Sequence, residues 1–345
     1  MITRKGKYTI LLNDKVNIIG YAAVGSKKEY EGPLSSDFDK IFHDPKAGMN
    51  TWEQAESMFI KEAFSLSLTK SGHKAEDIDY IFAGDLLNQC ISSSYGLMAF
   101  SVPYLGQYGA CSTMAQSLIM AAITLESGAA SYCAAASSSH FCAAERQYRF
   151  PLEYGGQRTP TAQWTVTAAG CCILAKEKRA FPSVNAITVG KITDSGITDA
   201  NNMGGAMAPA AARTILSYFS DTGRSVKDFD AIFTGDLGAV GSNLLYTLTE
   251  EQGLNIKDKH KDCGLMIYDR NTQDVHAGGS GCGCAASVLC AHILPKLSRN
   301  EYKNILFIPT GALMSPTACQ QGETIPAIAH LVELSSPPLS QNLSS

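Results

Sequence analysis

A chain of 345 residues, 45% hydrophobic and only 17% charged, is long and apolar enough to bury a large core. That excludes a disordered protein and points to a well-buried α/β chain, in two domains or one duplicated unit. A net charge of −4, without a basic block or aromatic–basic stripe, argues against a nucleic-acid partner. The 11 cysteines, odd in number and scattered through apolar runs, read as reduced thiols rather than a disulfide framework.

In chain order, Met1–Lys7 lacks the apolar core of a signal peptide. An opening strand is expected around Ile18–Gly20, and Glu31–Asn50 reads as an inserted loop rich in Gly, Pro and Asp. A helix carrying Phe64 and Leu68 ends at Gly72, and Ile78–Ala83 forms a strand that runs into Gly84–Asp85. Gly109-Ala110-Cys111 reads as a tight loop that delivers a cysteine to an apolar helix from Ser112 to about Ser127. The run Leu118–Leu125 is too short to span a bilayer. Ala134–Ser138 and Ala168–Ala175 are buried strands, the latter holding Cys171 and Cys172 as core residues.

The plan then repeats. Asp77–Leu86 returns as Asp228–Leu237, and the preceding Phe64, Leu68 and Gly72 are answered by Ile215, Phe219 and Gly223. Cys111–Ile123 aligns with Gly281–Ile293, and Ile18-Ile19-Gly20 with Thr188-Val189-Gly190. Tyr132 and Ala134–Ser138 find Tyr302 and Asn304–Ile308. The insert near 31–50 is offset by polar, turn-rich material between Glu250 and Asp274. Continuous apolar strands favour mixed or parallel sheets covered on both faces, with the two apolar helices buried between them and Pro295 disturbing the end of the second.

A thiol at a helix start feels the positive end of the helix, which favours the thiolate, with Ser112 or Thr113 capping free N–H groups. The competing reading of Cys111 is a small buried hydrophobe. The paired Gly84–Asp85 and Gly235–Asp236 read first as fold devices, a left-handed Gly and a capping Asp. Cys282, Cys284, Cys290 and His276 raise zinc, but their spacing fits no familiar site, and no metal or other cofactor is expected.

This plan resembles the thiolase-like superfamily and is similar in layout to β-ketoacyl carrier-protein synthase III. Gly109-Ala110-Cys111 matches its nucleophile loop, and Gly281–Ser287 falls where the synthases have Gly-Asn-Thr-Ser-Ala-Ala-Ser. Ser139–Pro151, Ala312–Pro316 and Gln320–Pro326 resemble the stage V sporulation protein AD family. The resemblance implies a five-layered α/β/α/β/α sandwich of two pseudo-twofold halves, residues 1–185 and 186–334, followed by a flexible tail at 335–345. It implies a non-catalytic protein that binds dipicolinic acid (pyridine-2,6-dicarboxylate) for uptake into the developing spore. Calcium would accompany the ligand, though its binding to the protein stays open. The place implied is the cytoplasmic or forespore side of the spore inner membrane, held peripherally by other proteins of an uptake complex. Superfamily members pair through a strand of the first half, so a homodimer is allowed.

The synthases need a histidine and an asparagine beside the thiolate. Here Gly235 stands at the histidine position and Cys282 at the asparagine position, which argues against condensation; His276 is the nearest substitute. In this fold the helices starting at Cys111 and Cys282 run side by side. Their N-termini, with the glycine-rich loop around Gly281, form a candidate site for two carboxylates. His140, Glu145 and Arg146, with Arg149 behind them, form a second candidate group, since an arginine grips a carboxylate through two bonds. Glu145 would orient an arginine or help Asp85 or Asp236 hold calcium. The competing reading of this group is a solvated loop with an internal Glu–Arg pair. Two rival functions stay in view: an acyl-transferring condensing enzyme using Cys111, and a purely structural subunit of a membrane transport complex.

Overall fold

Continuous apolar runs become strands throughout the computed structural model, which describes residues 2–148, 157–177 and 181–338, with only the backbone at Asp14 and Lys15. Arg149–Pro151 and the tail beyond 338 lie outside the described residues. The first half supplies β1 (Thr9–Ser26), β2 (Tyr80–Gly84), β3 (Tyr104–Gly106), β4 (Tyr132–Ser139) and β5 (Ala168–Ala175). The second supplies β6 (Ser183–Thr188), β7 (Ala231–Thr234), β8 (His260–Asp262), β9 (Asn304–Ile308) and β10 (Leu331–Ser335).

These strands pair in the order β8-β7-β9-β10-β6-β1-β5-β4-β2-β3. Outward from β6 or from β1 the succession is the same: one antiparallel return strand, then three mutually parallel strands. The sheets of the two halves are not separate. The early part of β1 pairs with β6, from Thr9 opposite Thr188 to Asn17 opposite Ser183, while its later part pairs with β5. A Thr9–Thr188 hydroxyl bond of 2.8 Å closes this seam. The second opening strand also ends at Thr188, so Val189 and Gly190, which the repeat aligned with strand residues, lie beyond it.

The main helices are α1 (Trp52–Ser71), α2 (Ile91–Leu97), α3 (Thr113–Ser127), α4 (Phe141–Tyr148), α5 (Met203–Thr222), α6 (Gly238–Glu250) and α7 (Cys282–Val288). Helices α1 and α5 end on Gly72 and Gly223, the two glycines that the repeat aligns, and both are left-handed caps. Three apolar clusters mark the interfaces of five layers. One lies between α1 and the first-half strands, one joins α3 and α7 to the inner faces of both halves, and one lies between α5 and the second-half strands. Burial of this apolar surface is what fixes the layering. The fold is thiolase-like α/β. The α7 helix continues through a π turn at Leu289–Ile293 into Leu294–Ser298, which lets Pro295 enter at the start of the last segment.

The inserted loop is docked rather than free. Lys40–Phe42 pairs with Val24–Ser26, and Asp39 accepts a bond from the Ala23 N–H at 2.9 Å. Among the described residues, no helix is long and apolar enough to cross a membrane.

Candidate functional site

The turn before α3 is strained as a nucleophile loop would be. Ala110 takes a left-handed conformation (φ +48°), unusual for a residue with a Cβ. Ser112 and Thr113 do not cap the first free N–H groups of α3 as expected, although Thr113 Oγ1 accepts from the Gly109 N–H at 3.1 Å. Their hydroxyls donate backwards, to the Gly109 and Ala110 carbonyls at 2.6 Å each, and so brace the turn.

Cys111 is buried, and its thiol lies 3.9 Å from Ser280 Oγ. The Ser280 hydroxyl donates to Asp236 Oδ2 at 3.0 Å, the Gly281 N–H donates to the same oxygen at 3.1 Å, and Thr310 donates to Oδ1 at 2.7 Å. With the Ser280 proton committed to Asp236, the thiol is left as the donor toward Ser280 Oγ. Burial, then the Asp236 carboxylate, pushes the Cys111 thiol well above its ordinary range. The thiolate expected from the helix start is therefore not favoured here, because desolvation and a fixed carboxylate outweigh the helix field.

Asp236 also changes the reading of the paired Gly–Asp motifs. Neither Gly84 nor Gly235 is left-handed; both are needed for close approach. A Cβ on Gly84 would stand 1.8 Å from the Gln107 carbonyl oxygen, and one on Gly235 would stand 2.8 Å from Pro309 Cα. Asp85 does act as a fold device, accepting from the Leu87 N–H (2.9 Å), the Ser93 N–H (2.7 Å) and the Ser93 hydroxyl (2.6 Å). Its counterpart Asp236 instead braces the Cys111 pocket. The N–H groups at the start of α6 go to Asp262, which accepts from Leu237 at 2.8 Å and Gly238 at 3.0 Å.

Of the residues nominated from sequence, Cys111, Gly281 and Cys282 come together. Cys111 and Cys282 share one small apolar cluster with Leu86, Ala110 and Ala144. The Cys282 thiol donates to the Ser138 carbonyl at 2.9 Å, and burial pushes it well above its ordinary range. The expected anion cradle is largely filled from within: Asp236 takes the Gly281 N–H and Ser139 Oγ takes the Gly283 N–H at 3.0 Å.

The other nominees lie elsewhere. His140 is buried with both ring nitrogens engaged. Nε2 bonds the Pro45 carbonyl at 2.9 Å and Nδ1 accepts from the Cys142 N–H at 3.2 Å, while burial lowers the pKa and keeps the ring neutral. Arg146 is half-exposed and pairs with Glu53 of α1, and Glu145 sits buried on α4, so neither lines the Cys111 pocket. His276 belongs to a loop, left-handed (φ +52°) and 3.0 Å from Asp274, rather than to the pocket. Strand β4 delivers His140 toward the inserted loop, and on α4 it is Ala144 and Tyr148 that face Cys111, with Glu145 and Arg146 on other faces of the helix.

The pocket at Cys111 holds about 40 Å³ and is walled by Tyr108, Tyr148, Met203, Met314, Thr165 and Ser280. Tyr108 and Tyr148 hydroxyls meet at 3.3 Å, and Tyr148 donates to the Leu86 carbonyl. Beyond the tyrosines, a space of about 300 Å³ shares Tyr108, Tyr148 and Met314 and is bounded by Leu87–Cys90 and Leu313–Pro316. Gln89 and Cys90 in that wall are both left-handed, the local strain that gathers at ligand clamps. Sequence reasoning assigned no role to the tyrosines or methionines. Tyr148 and Met314 stand in stretches it quoted and Tyr108 directly precedes the Gly109-Ala110-Cys111 loop, but Met203 carries no signal.

The stage V sporulation protein AD family profile matches residues 6–335. Stage V sporulation protein AD of Bacillus subtilis (strain 168) is 42% identical over 325 residues, covering 94% of this chain and 96% of that protein. Crystal structures of Xanthomonas campestris OleA variants share the fold. One superposes with a TM-score of 0.59 at 13% identity, covering 94% of this chain and 99% of that one. A second gives 0.60 at 15% identity, covering 93% and 97%. The chain belongs to the stage V sporulation protein AD family and carries it on a thiolase-like fold.

Proposed function

We propose that this protein is a non-catalytic member of the thiolase-like fold that binds dipicolinic acid and serves its uptake, with calcium, into the developing spore. The observation that supports this most directly is the setting of Cys111: a buried thiol beside a hydrogen-bonded, buried carboxylate, Asp236, with its pKa pushed upward by burial and then by that carboxylate. A condensing enzyme needs a thiolate with histidine or asparagine donors beside it. Here no histidine or asparagine lines the pocket among the described residues.

Flat tyrosine rings and soft methionines suit a planar ring, and Thr165 offers a hydroxyl group to a carboxylate. The inner pocket by itself is too small, so the ligand occupies the joined inner and outer spaces with the tyrosine pair parted. Among the described residues no lysine or arginine lines either space, and Asp236 stands close behind. A free dianion would be repelled, whereas a calcium chelate carries its own neutralising charge. The favoured ligand is therefore the chelate. Attachment to the spore inner membrane, on the cytoplasmic or forespore side, comes through other proteins of the uptake complex.

Calorimetric titration with dipicolinate, with and without calcium, tests this on the parent, Cys111→Ala and Met314→Ala. Saturable binding that needs calcium and weakens in both variants is the expected result. Silence with dipicolinate, together with a mass gain at Cys111 after acyl-CoA treatment, restores the acyl-transferring enzyme. Silence in both leaves a structural subunit.

A further inference from the structure

The stretch that leaves β4 builds a second concavity on the opposite side of α4's start. It holds about 300 Å³ and is lined by Lys28, Glu31, His140, Phe141, Trp164 and Thr167, among others, while Arg158 stands over Trp164 just outside that lining. Phe141 and Trp164 stack nearly parallel, centroids 3.7 Å apart and planes 7° apart, forming a rigid aromatic wall. Two cations gather on the same indole: Lys28 Nζ lies 3.9 Å from the ring centroid and Arg158 Cζ 4.5 Å.

Their charge is only partly answered. Asp274 takes Arg158 Nη2, through its carboxylate and its carbonyl at 2.9 Å each, but among the described residues buried Nη1 has no hydrogen-bond partner. Among the described residues Lys28 forms no ion pair. The adjoining Glu29 is fully buried and accepts from Tyr268 and from the Thr167 N–H at 3.0 Å, so it is not free to neutralise Lys28. Burial and the neighbouring Arg158 lower the Lys28 pKa, as expected for a cation waiting on a counter-charge. An unsatisfied buried guanidinium N–H is costly to keep, and a cation–π contact only partly repays a desolvated ammonium.

We propose that this concavity is a second binding site, for a small planar ring bearing a carboxylate, with the ring against the Phe141–Trp164 wall and the carboxylate between Lys28 and Arg158. A volume near 300 Å³ suits a one-ring ligand. Fork-like donors on Arg158 and a point charge on Lys28 favour a carboxylate. His140, nominated from sequence as a ligand residue, is wall here and not donor, since both its nitrogens are spent. The site stands on this geometry alone; only the use of dipicolinate as one probe rests on the proposed function.

The chain has 2 tryptophans, so Trp52→Phe leaves Trp164 as the sole indole reporter. Its fluorescence, excited beyond the pyridine band, is followed while benzoate, picolinate, dipicolinate or inorganic phosphate is added to the full chain. Saturable change with the ring carboxylates, at least tenfold weaker in Lys28→Gln and in Arg158→Gln, kept in Lys28→Arg and unaffected by Cys111→Ala, is expected. No saturable change with any ring carboxylate overturns the site. So does a response untouched by Lys28→Gln, one lost in Cys111→Ala, or phosphate binding as tightly as benzoate. A benzoate response without a dipicolinate response keeps this site, with a ring bearing one carboxylate as its ligand, and says nothing about the Cys111 pocket, which the calorimetric titration tests.

Discussion

At Cys111 two opposed effects set the chemistry. The start of α3 favours a thiolate, but burial and the Asp236 carboxylate push the thiol the other way and prevail. Asp236→Asn removes the charge while keeping a partner for Thr310 and Ser280. The thiol pKa is therefore expected to fall, though burial still holds it above the ordinary value. Iodoacetamide alkylation followed against pH checks this. The midpoint should move to lower pH, with about tenfold more thiolate at a given pH for each unit gained. An unmoved profile would show that Asp236 does not govern the thiol. That Cys111 opens a buried helix was legible in its own neighbours; its protonation state was not, because Asp236, Ser280 and Thr310 come from more than a hundred residues away.

Elements carry the next level of constraint. The ends of β2 and β7 pack so closely on their neighbours that Gly84 and Gly235 have no room for a Cβ. The resemblance to the synthases sets Gly235 at their histidine position, and a Gly235→His variant is not expected to gain their chemistry. Its Cβ would stand 2.8 Å from Pro309 Cα and 3.2 Å from the Ala285 Cβ on α7. Such overpacking costs about 1–3 kcal/mol. The variant is expected to melt at lower temperature than the parent and to show no decarboxylation of a malonyl thioester. Decarboxylation by a variant as stable as the parent would refute the steric argument. Sequence reading found these glycines through the repeat but gave them left-handed turns, since spacing along one strand says nothing of the backbone packed across from it. By contrast, the repeat aligned Gly72 with Gly223, and both are left-handed helix caps, since a helix C-terminus is a local event that each copy repeats.

Over the whole molecule, the layers bury acids as well as apolar surface. Glu56 of α1 is held under β4, with Oε1 accepting from the Ser138 hydroxyl at 3.0 Å and Oε2 without a partner among the described residues. Burial, then the nearby Asp85, raises its pKa well above the ordinary carboxylate value, and the two acids titrate as a pair. The folded state thus holds protons that the unfolded chain has released. This contribution to stability is full below the unfolded pKa, near 4.5, and is lost as pH rises through the raised folded value. Urea unfolding across a pH series should show Glu56→Gln losing less stability than the parent from acid to neutral pH; parallel curves would exclude Glu56 as the titrating acid. The sequence by itself determined the duplicated strand–helix plan, the buried helices and the place of Cys111, because periodicity and composition act over a few neighbouring residues. Only the tertiary structure decided that the thiol stays neutral, that tyrosines and methionines wall its pocket, and that His140 faces the Lys28 concavity instead. Burial and charge pairing depend on partners that the fold alone brings within a few ångströms.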